Sequence, residues 1–196
     1  MLGLISSASS PGRVVRFDDG LHATGAEACL PFGAFLDASF ADAEFFVALG
    51  YRHLSRKAEI LRQLLETGRR VPAWVHPSCQ VASSARLGEG CFLFPLANVD
   101  QDAALGRGVV LHNSVVVSHD GKIGDAAYLS PGVVLSGGVT VGEAAFLGSG
   151  TVVANGRVIG ARARIGLASA VTQDVPDGAS AIGNPLRILT HPLELE

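Results

Sequence analysis

The sequence predicts a mainly β chain: a parallel β-helix wound from six-residue units, preceded by a small α/β annex. Two observations predict it. An aliphatic residue returns at every sixth position from Val75 to Val171, seventeen times without a gap and always as Val, Leu or Ile. The residue two before it is usually small (Ala73, Cys79, Ala85, Cys91, Ala97 and Ala103 open the series), and glycine often follows it, as at Gly88, Gly106, Gly124, Gly142, Gly148, Gly160 and Gly166. Neither the two-residue period of an ordinary strand nor the 3.6-residue period of a helix generates this pattern.

Taken in chain order, residues 1–72 form the annex. Arg13 to Asp18 and Glu44 to Leu49 read as short strands. Leu54, Ala58, Leu61 and Leu65 lie at helical spacing, with Ser55 near the start and Gly68 just past the end, which predicts a helix from Leu54 to Thr67. Arg70 to His76 then feeds the first coil, so the annex is expected to pack on the end of the β-helix. Residues 73–175 are the coils. The aliphatic side chain points inward, the small residue fits the narrow interior, and glycine tolerates the bend. Three units close a triangular coil of eighteen residues, so the run gives between five and six coils, each about 4.8 Å from the next. Spacing leaves the hand of the coil open, since parallel crossovers are normally right-handed. After Val171 the segment DVPDGASAIGNPLRIL carries three turn signals and leaves the register, and residues 176–196 are expected to cap the last coil.

Composition narrows the function classes. At 196 residues, 48% apolar and 17% charged, the chain can bury a core as one domain with an annex. Its net charge is -3 and its only lysines are Lys57 and Lys122, so it has no basic stripe to neutralise a phosphate backbone, and nucleic acid is excluded as a partner. No apolar run approaches the roughly 18 residues that span a bilayer. Met1 to Pro11 lacks the basic start and apolar middle of a signal peptide, so the expectation is a cytoplasmic protein with no membrane partner. Cys29, Cys79 and Cys91 are odd in number and lack CxxC spacing, which predicts buried thiols rather than disulfides or a zinc knuckle.

An eighteen-residue coil turns spacing into proximity. His119 sits over Gln101 and under Gly137, which lies under Asn155; Asp120 sits over Asp102 and under Gly138. The Ser136-Gly137-Gly138 stretch thus brings backbone with little side-chain cover to within one strand spacing of an imidazole. Such an arrangement suits acyl transfer. A histidine near neutral pKa takes a proton from an attacking amine or hydroxyl, and an exposed N–H beside it receives the developing oxyanion. The acidic neighbour orients the ring and favours its charged form. His76 and His112, thirty-six apart on one face, read as structural.

The stretches VPAWVHPSCQVASSARLGEG, LHNSVVVSHDGKIGDAAYLSPGVVLSGGVTVGEAAFLGSGTVV and AIGNPLRI resemble the sialic acid O-acetyltransferase and bacillosamine-type aminosugar N-acetyltransferase family of bacterial glycan pathways. The resemblance runs from about Glu44 to Ile188. It implies a left-handed coil, acetyl-CoA as co-substrate, a homotrimer with the site between subunits, and a nucleotide-linked amino sugar held partly by the annex. By the same resemblance His119 is the general base, assisted by Asp120, and Gly137 offers its N–H to the acetyl carbonyl. Ser149 and Leu167, eighteen apart, touch the pantetheine through backbone, and Tyr128 stands where some relatives carry a second histidine near the thioester. Gly50, in FFVALGYRHLSRK, resembles the family's second glycine turn and, with Asn113, is assigned to the acceptor. The family usually opens with a strand and a glycine-rich, histidine-bearing loop; residues 1–12 carry neither, so the annex reads as shortened.

Further expectations follow from the prism. Flat faces pack about a three-fold axis, which again favours a trimer. Arg162, Arg164 and Arg187 are candidates for the CoA phosphates. Three alternatives stay open: O-acetylation of a sugar on the same scaffold, a γ-class carbonic anhydrase with zinc on His76, His112 and His119, and a non-catalytic assembly module. The anhydrase pattern sets its last two histidines five apart, whereas here they are seven apart, so no metal is expected.

Overall fold

A computed structural model describes residues 15–19, 23–25 and 29–193. Its body is a left-handed parallel β-helix of about six turns, carrying two-residue strands on three faces. One face holds β3 (Trp74–Val75), β6 (Phe92–Leu93), β9 (Val110–Leu111), β12 (Tyr128–Leu129), β15 (Phe146–Leu147) and β18 (Arg164–Ile165). We call it the annex face, for what covers it. The chain turns an edge into the valine face, from β4 (Gln80–Val81) through β10 (Val116–Val117) to β19 (Ala170–Val171). A second edge leads to the mixed face, from β5 (Arg86–Leu87) through β11 (Lys122–Ile123) to β17 (Val158–Ile159). Each strand pairs in parallel with the one eighteen residues on, Val116 with Val134 and Lys122 with Thr140, as the repeat predicts.

The second residue of each strand points inward, and from Leu93 to Val171 these aliphatic side chains are almost wholly buried in one continuous core. Val75 and Val81, counted inward by period, are instead 37% and 36% exposed, because the first coil has no coil beneath it. The glycines after the aliphatic positions do not serve the bend. A Cβ at Gly88 would lie 2.6 Å from the carbonyl carbon of Gly106, so these glycines exist because neighbouring coils nearly touch there. The bend uses a left-handed residue two positions later, where Gly90 and Gly108 alternate with Leu96, Asp102, Ser114 and Asp120.

The annex departs from expectation in its placement. It does not close the end of the coil but lies along its side. The helix α1 (Leu54–Glu66) follows the edge between the mixed and annex faces, and a Cβ at Gly90 would come within 2.7 Å of Leu61. Outward residues of the annex face, Trp74, Phe92, Val110 and Phe146, are thereby buried. The helix buries Leu54, Lys57, Leu61 and Leu64 rather than Ala58 and Leu65, because its contact stripe is set by that edge. Of the two expected strands, the first, whose residues 13 and 14 lie outside the described residues, is a strand at Arg16–Phe17 that pairs in parallel with β2 (Cys29–Leu30). Glu44 makes a single bridge to Arg70, and residues 45–49 belong to no strand. The reading of residues 1–12 falls outside the described residues.

Beyond Val171 the register slips. Val175 bridges Ile159, sixteen residues back, before β20 (Ser180–Ile182) rejoins the annex face and β21 (Arg187–Leu189) folds onto it antiparallel. That hairpin covers the last coil. Cys29 and Cys91 are buried, Cys79 is half-buried, and all three are free thiols. Among the described residues no helix is long and apolar enough to cross a membrane.

Candidate active site

The edge between the valine and mixed faces carries His119. Backbone pairing fixes its height: Asp120 N–H donates to Gln101 O at 3.0 Å, and Gly138 N–H donates to His119 O at 2.9 Å. The imidazole lies directly against Gly137, where even a methyl group would collide with its Nε2 and Cε1 atoms. Nδ1 sits 2.9 Å from Asp120 Oδ2. With Nδ1–H donating to that carboxylate, Nε2 holds the lone pair and faces the glycine. The hydrogen bond to Asp120 raises the imidazole pKa above its ordinary value, the negative charges of Asp120 and Asp100 add to the rise, and burial opposes it. Asp120 turns its carboxylate to the ring from a left-handed backbone, φ 58°, a conformation that short polar residues tolerate. Among the described residues the Gly137 N–H has no hydrogen-bond partner. An imidazole, a carboxylate bonded to it and an amide donor without a partner thus meet at one exposed edge.

The other residues singled out by sequence lie elsewhere in the chain. Asn113, Ser149 and Leu167 share the edge between the annex and valine faces, where Ala168 N–H donates to Ser149 O at 2.8 Å and Leu167 is 69% exposed. Asn113 Oδ1 lies 3.0 Å from His112 Nδ1, and the His112 ring stacks flat on Phe94 at 4.6 Å. Tyr128 faces outward on the annex face between Tyr51 and Phe146, at 5.8 and 6.0 Å, and burial pushes its pKa up. Arg187 is paired with Ile182, whose side chain crowds Gly166 at the top of the Ser149 edge. Arg162 and Arg164 are not beside it: they line a cleft at the start of α1, on the third edge. Gly50 adopts an ordinary φ of -77° and faces open space, so the chain's own fold does not demand a glycine there.

The residues therefore form two groups. His119, Asp120 and Gly137 occupy one edge, and Asn113, Ser149 and Leu167 the next, with the width of the valine face between them, on the order of 15–20 Å for six extended residues. His76 and His112 belong to the second edge, the former with Nδ1 2.8 Å from Ser78 Oγ, so the three histidines of the anhydrase alternative do not converge within a chain. Among the described residues no three His, Cys, Asp or Glu side chains are grouped to hold a metal. Sequence reasoning missed Asp100, whose charge reaches His119 from the coil below; its place nineteen residues before His119 was the available signal.

Solved structures similar to this chain share its fold over nearly its full length. PerB from Caulobacter crescentus, in complex with CoA and GDP-perosamine, is 30% identical, with a TM-score of 0.84 over 94% of this chain and 88% of that one. WeeI from Acinetobacter baumannii is 25% identical, with a TM-score of 0.83 over 96% and 92%. The acetyltransferase domain of PglB from Neisseria gonorrhoeae is 25% identical, with a TM-score of 0.77 over 91% and 84%. No family model and no curated sequence matches the chain.

Proposed function

The chain belongs to the hexapeptide-repeat aminosugar N-acetyltransferases, which use acetyl-CoA, and from that membership we propose that it acetylates the amine of a nucleotide-linked amino sugar with His119 as general base. The observation that carries the assignment of the base is the imidazole seated on Gly137 with Nδ1 held by Asp120. Nε2 takes the proton from the attacking amine as its nitrogen bonds to the acetyl carbonyl. The Gly137 N–H receives the oxyanion, and the imidazolium returns the proton to the departing thiolate, restoring the base. Asp120 stabilises the transient positive charge on the ring. CoA is a co-substrate in this reading, and no metal takes part.

The two-edge distribution supports a homotrimer. A neighbour's Ser149 edge, laid against the His119 edge, supplies the backbone of Ser149 and Leu167 to the pantetheine, with Tyr128 near the thioester and Arg187 toward the phosphates. The valine face offers the packing surface: Val116, Val134 and Val152 point outward along it, and Val152 is 48% exposed. Residues 73–175 then carry the chemistry, residues 176–196 cap the coil, and residues 1–72 hold the acceptor with Asn113. The open space at Gly50 supports a ligand approaching the annex there. Its place is the cytoplasm, in the assembly of bacterial surface glycans.

A thiol-release assay with acetyl-CoA against nucleotide-linked 3-amino and 4-amino sugars tests the reading. CoA release with one of these amines is the expected result. Release only with hydroxyl acceptors would replace N-acetylation by O-acetylation, and release with none would overturn the activity.

A further inference from the structure

We propose that Asn155 is a second donor to the reacting carbonyl, its side-chain amide bonding the acetyl oxygen beside the Gly137 N–H. The inference rests on the acetyl-transfer reading of the His119 edge and adds a residue to it. Backbone pairing sets the residue in place. Gly156 N–H donates to Gly137 O at 2.9 Å, as Gly138 N–H does to His119 O one coil lower, so Asn155 stands over Gly137 as Gly137 stands over His119. Neighbouring coils are about 4.8 Å apart, and a carboxamide nitrogen reaches to roughly 3.5 Å from its own Cα. The Asn155 amide can therefore span most of the gap down to Gly137, which has no side chain to fill it. From below, the imidazole rises to touch Gly137 with Nε2 and Cε1. An acetyl group seated at Gly137 is thus bounded by the base on one side and by a carboxamide on the other.

A carbonyl oxygen has two lone pairs, and on an exposed edge a single backbone donor leaves the second to water. Asn155 is exposed, and among the described residues its carboxamide has no hydrogen-bond partner. Its backbone, by contrast, is held: Arg157 Nε donates to Asn155 O at 3.4 Å. The coil above cuts this corner short, for Val175 bridges Ile159 at sixteen residues rather than eighteen, and Asp174 Oδ1 accepts from Val158 N–H at 3.0 Å. The other neutral donors nearby are less well placed. Gln101 lies under His119, on the side away from Gly137, and the half-buried Ser136 stands before the corner, at the end of the valine face. The step keeps its balance. As the amine nitrogen bonds to the acetyl carbon, the carbonyl π electrons move onto oxygen, where Gly137 N–H and Asn155 Nδ2–H hold the charge. They return to carbon as the C–S bond breaks, and the thiolate takes the imidazolium proton. Both donors bond the oxyanion more strongly than the neutral carbonyl, so the effect falls on kcat.

The full-length protein is compared with Asn155→Ala, Asn155→Asp and Ser136→Ala, each checked for folding by a thermal melt. With an amino-sugar acceptor, Asn155→Ala is expected to lower kcat by about 10²-fold with little change in the KM for acetyl-CoA. Asn155→Asp fits the same space but opposes the oxyanion, so it should be no more active than Asn155→Ala; a merely structural residue would tolerate aspartate better than alanine. A second readout needs no turnover. Acetyl-CoA labelled at the carbonyl carbon is bound without acceptor, and its infrared carbonyl stretch is expected to lie lower in the parent and in Ser136→Ala than in Asn155→Ala, because a donor polarises the C=O bond. A parent-like kcat or a parent-like stretch in Asn155→Ala, or an aspartate variant more active than the alanine one, overturns the proposal. A parent whose bound thioester shows the Asn155-dependent stretch yet acetylates no amine would sink the N-acetylation reading and leave this one standing.

Discussion

At the scale of single residues, the site rests on His119 lying against Gly137, a contact that any larger residue at position 137 would destroy. A positioned general base contributes roughly 10²–10⁴-fold, so His119→Ala is expected to lower kcat by about that factor with little change in acetyl-CoA binding. Near-normal kcat over the full pH range would move the base elsewhere. Asp120→Asn tests the second half of the arrangement, since asparagine tolerates the left-handed backbone at that position. Asp120 holds the imidazole pKa above its ordinary value, so the base form is lost as pH falls through a raised value. Removing the carboxylate should therefore move the acidic limb of the kcat/KM profile to lower pH, and a limb that stays put would show that Asp120 does not tune the base. This contact was legible in sequence because an eighteen-residue coil places Gly137 over His119 whatever the side chains are. The cause of the corner glycines was not legible, since the clearance between coils is set by how closely the backbones stack.

At the scale of elements, α1 hides an ion that nothing in its sequence pattern marks. Lys57 is fully buried, its Nζ has no hydrogen-bond partner among the described residues, and its ammonium stands 5.4 Å from the centre of the Phe92 ring. Burial drives its pKa from 10.5 down to about 8. The pKa is lower in the folded than in the unfolded chain, so the penalty is fully present below pH 8 and fades as pH rises toward 10.5. The fall corresponds to a cost of about 3 kcal/mol at pH 7, offset in part by the attraction to Phe92. Lys57→Met should stabilise the protein by about 1–3 kcal/mol at pH 7, and by less at pH 10. Urea denaturation at both pH values measures it, and a variant less stable than the parent at pH 7 would show that the ammonium has a partner worth keeping. The annex face did carry a sequence signal. Trp74, Phe92, Tyr128 and Phe146 stand at multiples of eighteen, an apolar outward column that only a covering element would bury.

At the scale of the whole molecule, the two halves proposed for the acetyl-transfer site stand on different edges of one chain, and the valine face lies between them. Val134→Asp combined with Val152→Asp places charges on the face proposed for assembly. The variant is expected to sediment as a species of 20.2 kDa and to lose acetyl transfer while keeping its β circular dichroism, because neither residue points into the core. An active trimer that survives both substitutions would put the interface on another face. What the sequence determined by itself was everything that repeats: the coil, its three faces, its inward aliphatic core and the contact between His119 and Gly137. Repetition suffices there because each coil is the last one shifted by one ladder spacing, so a local period fixes a long-range neighbour. Only the tertiary structure decided what does not repeat, namely that the annex covers a face rather than an end, that Lys57 is buried, and that arginines from annex and coil line one cleft. Those contacts join segments of different period, and their register is set by the shapes of the two packed surfaces rather than by spacing along the chain.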